Sequence, residues 1–179
     1  MRYTVLAPGK RLRPILVLAS AEALGGRAET VLPAACALEC IHAFSLIHDD
    51  LPCMDNDDLR RGRPTNHKVY GEAMALLAGD ALLALAFELL ALQAENCPLP
   101  SVVEAVRMVA RASGTHGMVG GQVADMQAQG RDVGIEELRF IHSHKTGSLL
   151  TASACLGALL FGANKQQFGC LELYGHHLG

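Results

Sequence analysis

"VLPAACALECIHAFSLIHDD", Val31 to Asp50, is almost wholly apolar, yet it keeps a few polar side chains on one side. At 100° per residue, Glu39, His42, Asp49 and Asp50 fall within a sector of about 100°, on a background of Ala, Cys, Leu, Ile and Phe. A helix this apolar is enclosed by other helices, and its polar stripe faces water, a ligand or a buried partner. Pro33 suits a first helical turn and Thr30 offers a cap just before it, so the helix is expected to run from there to the aspartates.

Working outward, runs rich in Ala, Leu and Met are punctuated by Gly, Pro and Asn, and alternating Val, Ile or Thr runs are absent. That pattern predicts an all-α fold, a bundle of mostly apolar helices around a central cavity. Further helices are expected over 14–25, 71–95, 101–113, 116–129 and 135–161, the last with a disturbance at Thr146 and Gly147, and a final one from Lys165. The Gly-rich spots read as helix ends. The stretches 73–94 and 149–163 pose a membrane question. The first carries Asp80 and Glu88, and the second falls short of the ~20 apolar residues a span requires, so both read as buried helices without stable membrane insertion. Asp80 is expected to pair with a buried donor.

At 179 residues, half of them apolar, the chain suits one domain with a substantial core. Net charge is −3 and the basic residues cluster at only two places, which excludes a face that tracks nucleic acid. The amino terminus has no apolar signal-like run, which favours the cytoplasm and leaves plastid import open. Six cysteines include no CxxC pair, and small core residues in a reducing compartment account for them.

The helix of Val31 to Asp50 runs into "HDDLPCMDNDDLRRGRP", residues 48–64, with five aspartates in ten residues and then three arginines in five. An acidic cluster taken alone is most often a solvated loop. Asp49, Asp50, Asp55, Asp57 and Asp58 cannot all stay ionised side by side without a cation. Counted as a calcium loop from Asp55, the pattern fails at Leu59 and Arg60; magnesium, which takes one or two carboxylates and is completed by water and phosphate oxygens, fits better. Arg60 and Arg61 can then fork onto the remaining oxygens of a diphosphate. A second basic cluster, "GKRLRP" at 9–14, precedes a helix start and can hold another anion. Lys145, Thr146 and Gly147 interrupt an apolar helix and would release carbonyls and a hydroxyl toward a cavity. Gln122 and Asp125, at i and i+3, are polar residues on another apolar helix. His116, His142, His144, His176 and His177 lack metal-ligand spacing.

With these residues in view, the sequence closely resembles the trans-polyprenyl diphosphate synthases of the farnesyl and geranylgeranyl type. The motifs that carry the resemblance are "GKRLRP", Asp-Asp-x-x-x-x-Asp followed by "LRRGRPTNH", "LAGDALL", "GMVGGQVADM" and "HKTGSLL", in order along nearly the whole chain. The resemblance implies an isoprenoid synthase-like fold and a magnesium-dependent condensation of isopentenyl diphosphate with an allylic diphosphate. By motif position it implies that Asp49 and Asp55 hold magnesium with Asp50 in support. Arg60 would bind the allylic diphosphate, with Lys145 and Thr146 on the same side and Gln122 and Asp125 lining the cavity. Lys10, Arg13, His42 and Arg61 would form the isopentenyl diphosphate site. The family carries a second aspartate-rich motif after the segment that reads "YGHHLG" here, and a helix or two ahead of this start. One domain over residues 1–179, part of a longer protein, is therefore expected. An aromatic residue five before the first aspartate, Phe44, is expected to floor the pocket and favours farnesyl diphosphate (C15). Geranylgeranyl diphosphate (C20) and a noncatalytic partner subunit are the alternatives, and a terpene cyclase would find no use for "GKRLRP". Helices this apolar are expected to pair in a homodimer.

Overall fold

The computed structural model describes residues 1–179, and the order of its elements follows from the sequence punctuation. A single turn, α1 (Arg2–Val5), leads to α2 (Leu12–Glu22). A 3-10 turn, Ala28–Val31, enters α3 (Leu32–Asp49), and a two-stranded hairpin, β1 (Leu59–Arg60) with β2 (Arg63–Pro64), follows the aspartates. Then come α4 (Asn66–Tyr70), α5 (Glu72–Ala91), α6 (Leu99–Ser113), α7 (Met118–Ala128) and α8 (Ile135–Ile141). A π-helical turn, His142–Gly147, joins α8 to α9 (Ser148–Leu160), and α10 (Lys165–Leu178) ends the chain. The all-α expectation holds, with α1, α4 and the short hairpin as elements that periodicity did not reveal.

Helix α3 lies at the centre, packed on α5, α2 and α9. Eight of its residues are buried, including Leu38, Ile41 and Ile47, which are at most 1% exposed. Its start differs from expectation. Thr30 lies within the 3-10 turn and no side chain of the N-cap residue bonds the helix. The fully buried Gln93, from the far end of the α5 segment, caps it instead: with its amide turned so that both ends are satisfied, it accepts from Ala34 N–H and donates to the Thr30 carbonyl, each at 3.0 Å. Helix α10 begins where expected, because Asn164 and Gln167 form a capping box across its first turn at 2.9 and 3.0 Å.

Glycines lie inside the helices as well as at their ends, where two backbones come too close for a side chain. A Cβ at Gly157 would overlap the Val17 carbonyl of α2, and one at Gly175 would sit 2.6 Å from Thr151 Cα of α9. One at Gly121 would overlap the backbone of Lys145, and one at Gly79 the ring of His48. The last two bring α7 and α5 against the polar residues described below.

The enclosure predicted for 73–94 and 149–163 holds only for the second. Helix α9 buries ten residues against its neighbours, whereas α5 leaves Met74, Leu76 and Leu77 46–59% exposed. Asp80 is likewise exposed, its nearest side-chain nitrogen being His48 Nε2 at 3.7 Å, so it pairs with no buried donor. The segments Ala28–Asp49 and Glu72–Glu95 are long and apolar enough to cross a membrane by length and composition, and the first is half buried by protein. All six cysteines are free; Cys40 and Cys155 are buried, but Cys36, Cys53 and Cys170 are exposed, which corrects the reading of all six as core residues.

Candidate active site

The C-terminal end of α3 delivers Asp49 and Asp50, and the loop after it turns back, with Asp55 N–H donating to the Asp49 carbonyl at 2.9 Å. The four residues between Asp50 and Asp55 thus close a turn that returns the third aspartate to the first. Around Asp49 the side chains converge as the sequence suggested. Gln122 Nε2 donates to Asp49 Oδ1 at 2.7 Å, and Lys145 Nζ lies 3.7 Å from the same oxygen while bonding Asp125 Oδ2 at 2.6 Å. Burial alone would lower the Lys145 ammonium, but its bond to Asp125 and the fields of Asp49 and Asp55 raise it. The Asp55 carboxyl is pushed up by burial and then by Asp49, with Asp125 and Asp57 adding to the repulsion.

These oxygens are suited to a divalent ion, with the Lys145 ammonium now providing the positive charge among them. No three His, Cys, Asp or Glu side chains close on one point as a complete metal cage would. Magnesium needs only one or two carboxylates, and Asp49 and Asp55, both near Lys145, could supply them.

Lys145 and Thr146 reach this point from the π-helical turn. The expected break does not occur: the widened turn keeps the helix continuous, with Ser148 Oγ donating to the Ser143 carbonyl at 3.2 Å, and re-aims the two side chains into the cavity.

Asp50 and Arg60 depart from expectation. Asp50 is only 3% exposed, and both Nε and a terminal nitrogen of Arg60 donate to its Oδ1, at 2.7 and 2.6 Å. Burial raises the Asp50 carboxyl against the pull of that guanidinium. Burial alone would lower Arg60, and its bonds to Asp50 more than offset this. Arg60 is thus paired with Asp50 through Nε and one terminal nitrogen, the latter also 3.6 Å from Asp49.

Beneath the aspartates opens a cavity of about 390 Å³. Met118, Val119, Val123 and Met126 of α7 wall one side; Phe44, Ser45 and His48 of α3 line the other. The Phe44 ring meets the His48 imidazole edge to face at 4.8 Å, and His48 Nε2 is held by the Leu76 carbonyl at 3.0 Å. Gln122, Lys145 and Thr146 line the cavity, as expected; Asp125 does not, and acts on it through Lys145.

The second basic cluster forms its own open pocket. Lys10, Arg13, His42 and Arg61, the four residues grouped from the sequence, line it together with Glu39, which turns from the α3 stripe to pair with Arg11. Arg13 Nε is buried there without a hydrogen-bond partner, and burial lowers its guanidinium, with Arg61 adding to the effect and Glu39 opposing it. His42 is pushed down to about 3, by burial first and then by the guanidiniums of Arg13, Arg61, Arg60 and Arg11, and so is neutral. Arg13 and His42 line both this pocket and the cavity beside Asp49.

Sequence reasoning missed two residues. His48 precedes the aspartates and reads as part of their motif. Gln129 Nε2, 3.3 Å from Asp55 Oδ1, lies 74 residues away with no local signal.

Comparison with known proteins places the chain in a family. The family model described as polyprenyl synthetase matches residues 1–179. The large subunit 1 of a heterodimeric geranylgeranyl pyrophosphate synthase of Arabidopsis thaliana, named as chloroplastic, is 55% identical over 185 residues, all of this chain and 50% of that protein. A geranylgeranyl diphosphate synthase of Cyanophora paradoxa is 53% identical over all of this chain and 60% of its own length. Among solved structures, an FPP/GFPP synthase from Zymomonas mobilis superposes with a TM-score of 0.93 at 43% identity, covering 98% of this chain and 64% of that one. The chain thus spans about half to two thirds of the relatives it matches. On the matched model, the identities and the isoprenoid synthase fold, the chain belongs to the polyprenyl synthetase family.

Proposed function

We propose that the protein joins isopentenyl diphosphate head to tail to an allylic diphosphate, and that its product is geranylgeranyl diphosphate. The observation that carries the reading is the junction at Arg13 and His42, where a basic pocket for one diphosphate meets an apolar cavity lined by Asp49 and Lys145 for another. Magnesium, held by Asp49 and Asp55, would supply the charge that lets the allylic diphosphate depart with its bonding electrons. Lys145 and Thr146 line that cavity to bind and orient the departing group. The Met and Val side chains of α7 keep water from the allylic cation, and Lys10, Arg13, His42 and Arg61 hold isopentenyl diphosphate so that its double bond attacks. A proton then passes to the departed diphosphate, and the electrons of its C–H bond form the new double bond.

The names of the relatives favour the C20 product over the C15 product that Phe44 suggested. One observation keeps the shorter product as a second reading: Phe44 and His48 meet on the α3 wall of the cavity, where two rings would stop a growing tail. The exposed apolar side of α5 supports a dimer of two copies. The Arabidopsis relative is named as one subunit of a heterodimer, which keeps a partner-subunit role as the competing reading. Incubating the protein with isopentenyl and dimethylallyl diphosphates and magnesium, then sizing the products, separates these readings. Prenyl diphosphates of C20 are expected, C15 alone would favour the second reading, and diphosphate binding without turnover would favour the partner role. Asp49→Ala is expected to cut turnover by about a hundredfold or more. Phe44→Ala is expected to lengthen the product, and an unchanged length would remove Phe44 as the floor.

A further inference from the structure

Arg61 occupies an awkward place for a ligand-binding residue. The β1–β2 hairpin pairs only Leu59 with Pro64 and Arg60 with Arg63, and ribbons this short do not hold themselves together. Its two-residue turn places Arg61 at φ 53° and Gly62 at φ 75°, left-handed conformations that a tight hairpin turn requires and an arginine resists. Arg60 is anchored independently by its two bonds to the buried Asp50. For Arg61 the anchor is a bond from its guanidinium to the Pro8 carbonyl at 2.7 Å, so the rest of its placement must come from whatever fixes the hairpin tip.

That support is α1, across 61 residues of chain. Tyr3 OH donates to the Pro64 carbonyl at 2.8 Å, the Arg63 guanidinium lies over the Tyr3 ring at 4.6 Å, and Tyr70 meets the same ring edge to face at 5.6 Å. Beside it, Asn66 Nδ2 donates to Thr4 Oγ1 at 2.9 Å. Helix α1 has four residues and buries none, so it too is marginal alone. Two elements that would each fray are clasped together, at the hairpin itself through the Tyr3 side chain, while Thr65 ties the hairpin base to the Asp57 and Asp58 carbonyls.

We propose that Tyr3 is a positioning residue for the second diphosphate pocket: by clasping the hairpin to α1 it holds Arg61 beside Lys10, Arg13 and His42. The inference rests on the reading of that pocket as an anion site, and it makes a selective demand. Because Arg60 is held by Asp50, losing Tyr3 should weaken the pocket of Arg61 and leave the aspartate side largely intact.

The test compares Tyr3→Phe, Tyr3→Ala, Arg61→Ala and the double variant Tyr3→Ala/Arg61→Ala. Calorimetry reads the binding of inorganic pyrophosphate without divalent metal, and kinetics read KM for each substrate. Tyr3→Ala is expected to weaken pyrophosphate binding and raise KM for isopentenyl diphosphate roughly three- to tenfold, the scale of one or two lost polar contacts, with KM for the allylic substrate changed less than twofold. Tyr3→Phe keeps the ring and should fall between wild type and Tyr3→Ala, which guards against a mere folding defect. The double variant should be no worse than Arg61→Ala alone. Additive losses, or equal changes in both KM values, would overturn the inference. Wild-type protein that binds pyrophosphate but forms no product would overturn the proposed reaction instead, and the binding arm would still decide the role of Tyr3.

Discussion

His42 shows how burial and neighbours set the chemistry of one side chain. With its folded pKa near 3 against about 6.5 in an unfolded chain, the unfolded state takes up a proton that the folded state refuses. Its contribution to stability is therefore full above pH 6.5, declines as pH falls, and is lost by about pH 3. His42→Gln should flatten that decline, sparing about 2 kcal/mol between pH 7 and pH 5, as read by urea unfolding at the two pH values. Equal slopes for both proteins would mean that the ring is not enclosed among the arginines. The stripe that singled out His42 also singled out Asp49 and Asp50, because helical periodicity shows which residues share a face. It could not show that Arg60 would pair with Asp50. That pairing crosses a hairpin, and a guanidinium drawn to a buried carboxylate looks, in sequence, like one left free for a ligand.

Single helical turns carry the next level of the site. The disturbance at Thr146 and Gly147 was legible because a Lys-Thr-Gly triplet interrupts an apolar run, but its form as a π-helical turn was not. A wider turn needs no breaker residue, only a neighbour that stabilises it. Gly121 is that neighbour, letting α7 lie against the backbone of Lys145. Gly121→Ala should cost about 1–3 kcal/mol of stability through overpacking and cut turnover at least about tenfold, because the Lys145–Asp125 contact shifts with the turn. Gly175→Ala, which crowds Thr151 at the α9–α10 contact away from the cavity, should cost a similar amount of stability while turnover per folded molecule stays unchanged. Denaturation midpoints paired with active-site-normalised rates separate the two, and equal activity losses would show that the π turn has no special role. The cap on α3 was hidden for a related reason: Gln93 reaches it from some sixty residues away, while local rules pointed to Thr30.

For the whole molecule, composition told helix from strand but not which helices would be enclosed. Helices α5 and α9 read almost alike in sequence. Yet α9 is packed by α2, α6 and α10, while α5 meets α3 on one side and only the edges of α4 and α6. The number of neighbours comes from topology, and apolar content alone cannot supply it. The consequence is a cluster of exposed apolar side chains near the start of α5, Met74, Leu76 and Leu77, each 46–59% exposed. Exposed apolar side chains grouped in this way mark a contact with another molecule, and a two-fold pair of α5 faces would cover them with one self-complementary patch. Replacing both Met74 and Leu77 by Glu should convert a dimer to monomer in size exclusion with light scattering, and should leave helix content unchanged, because neither side chain packs into the α3 contact. A wild-type protein that runs as a monomer, or a double variant that stays dimeric, would place the subunit contact elsewhere. If the dimer forms through α5, the variant should also lose turnover, because that helix carries the Leu76 carbonyl that fixes His48 against Phe44 in the cavity wall.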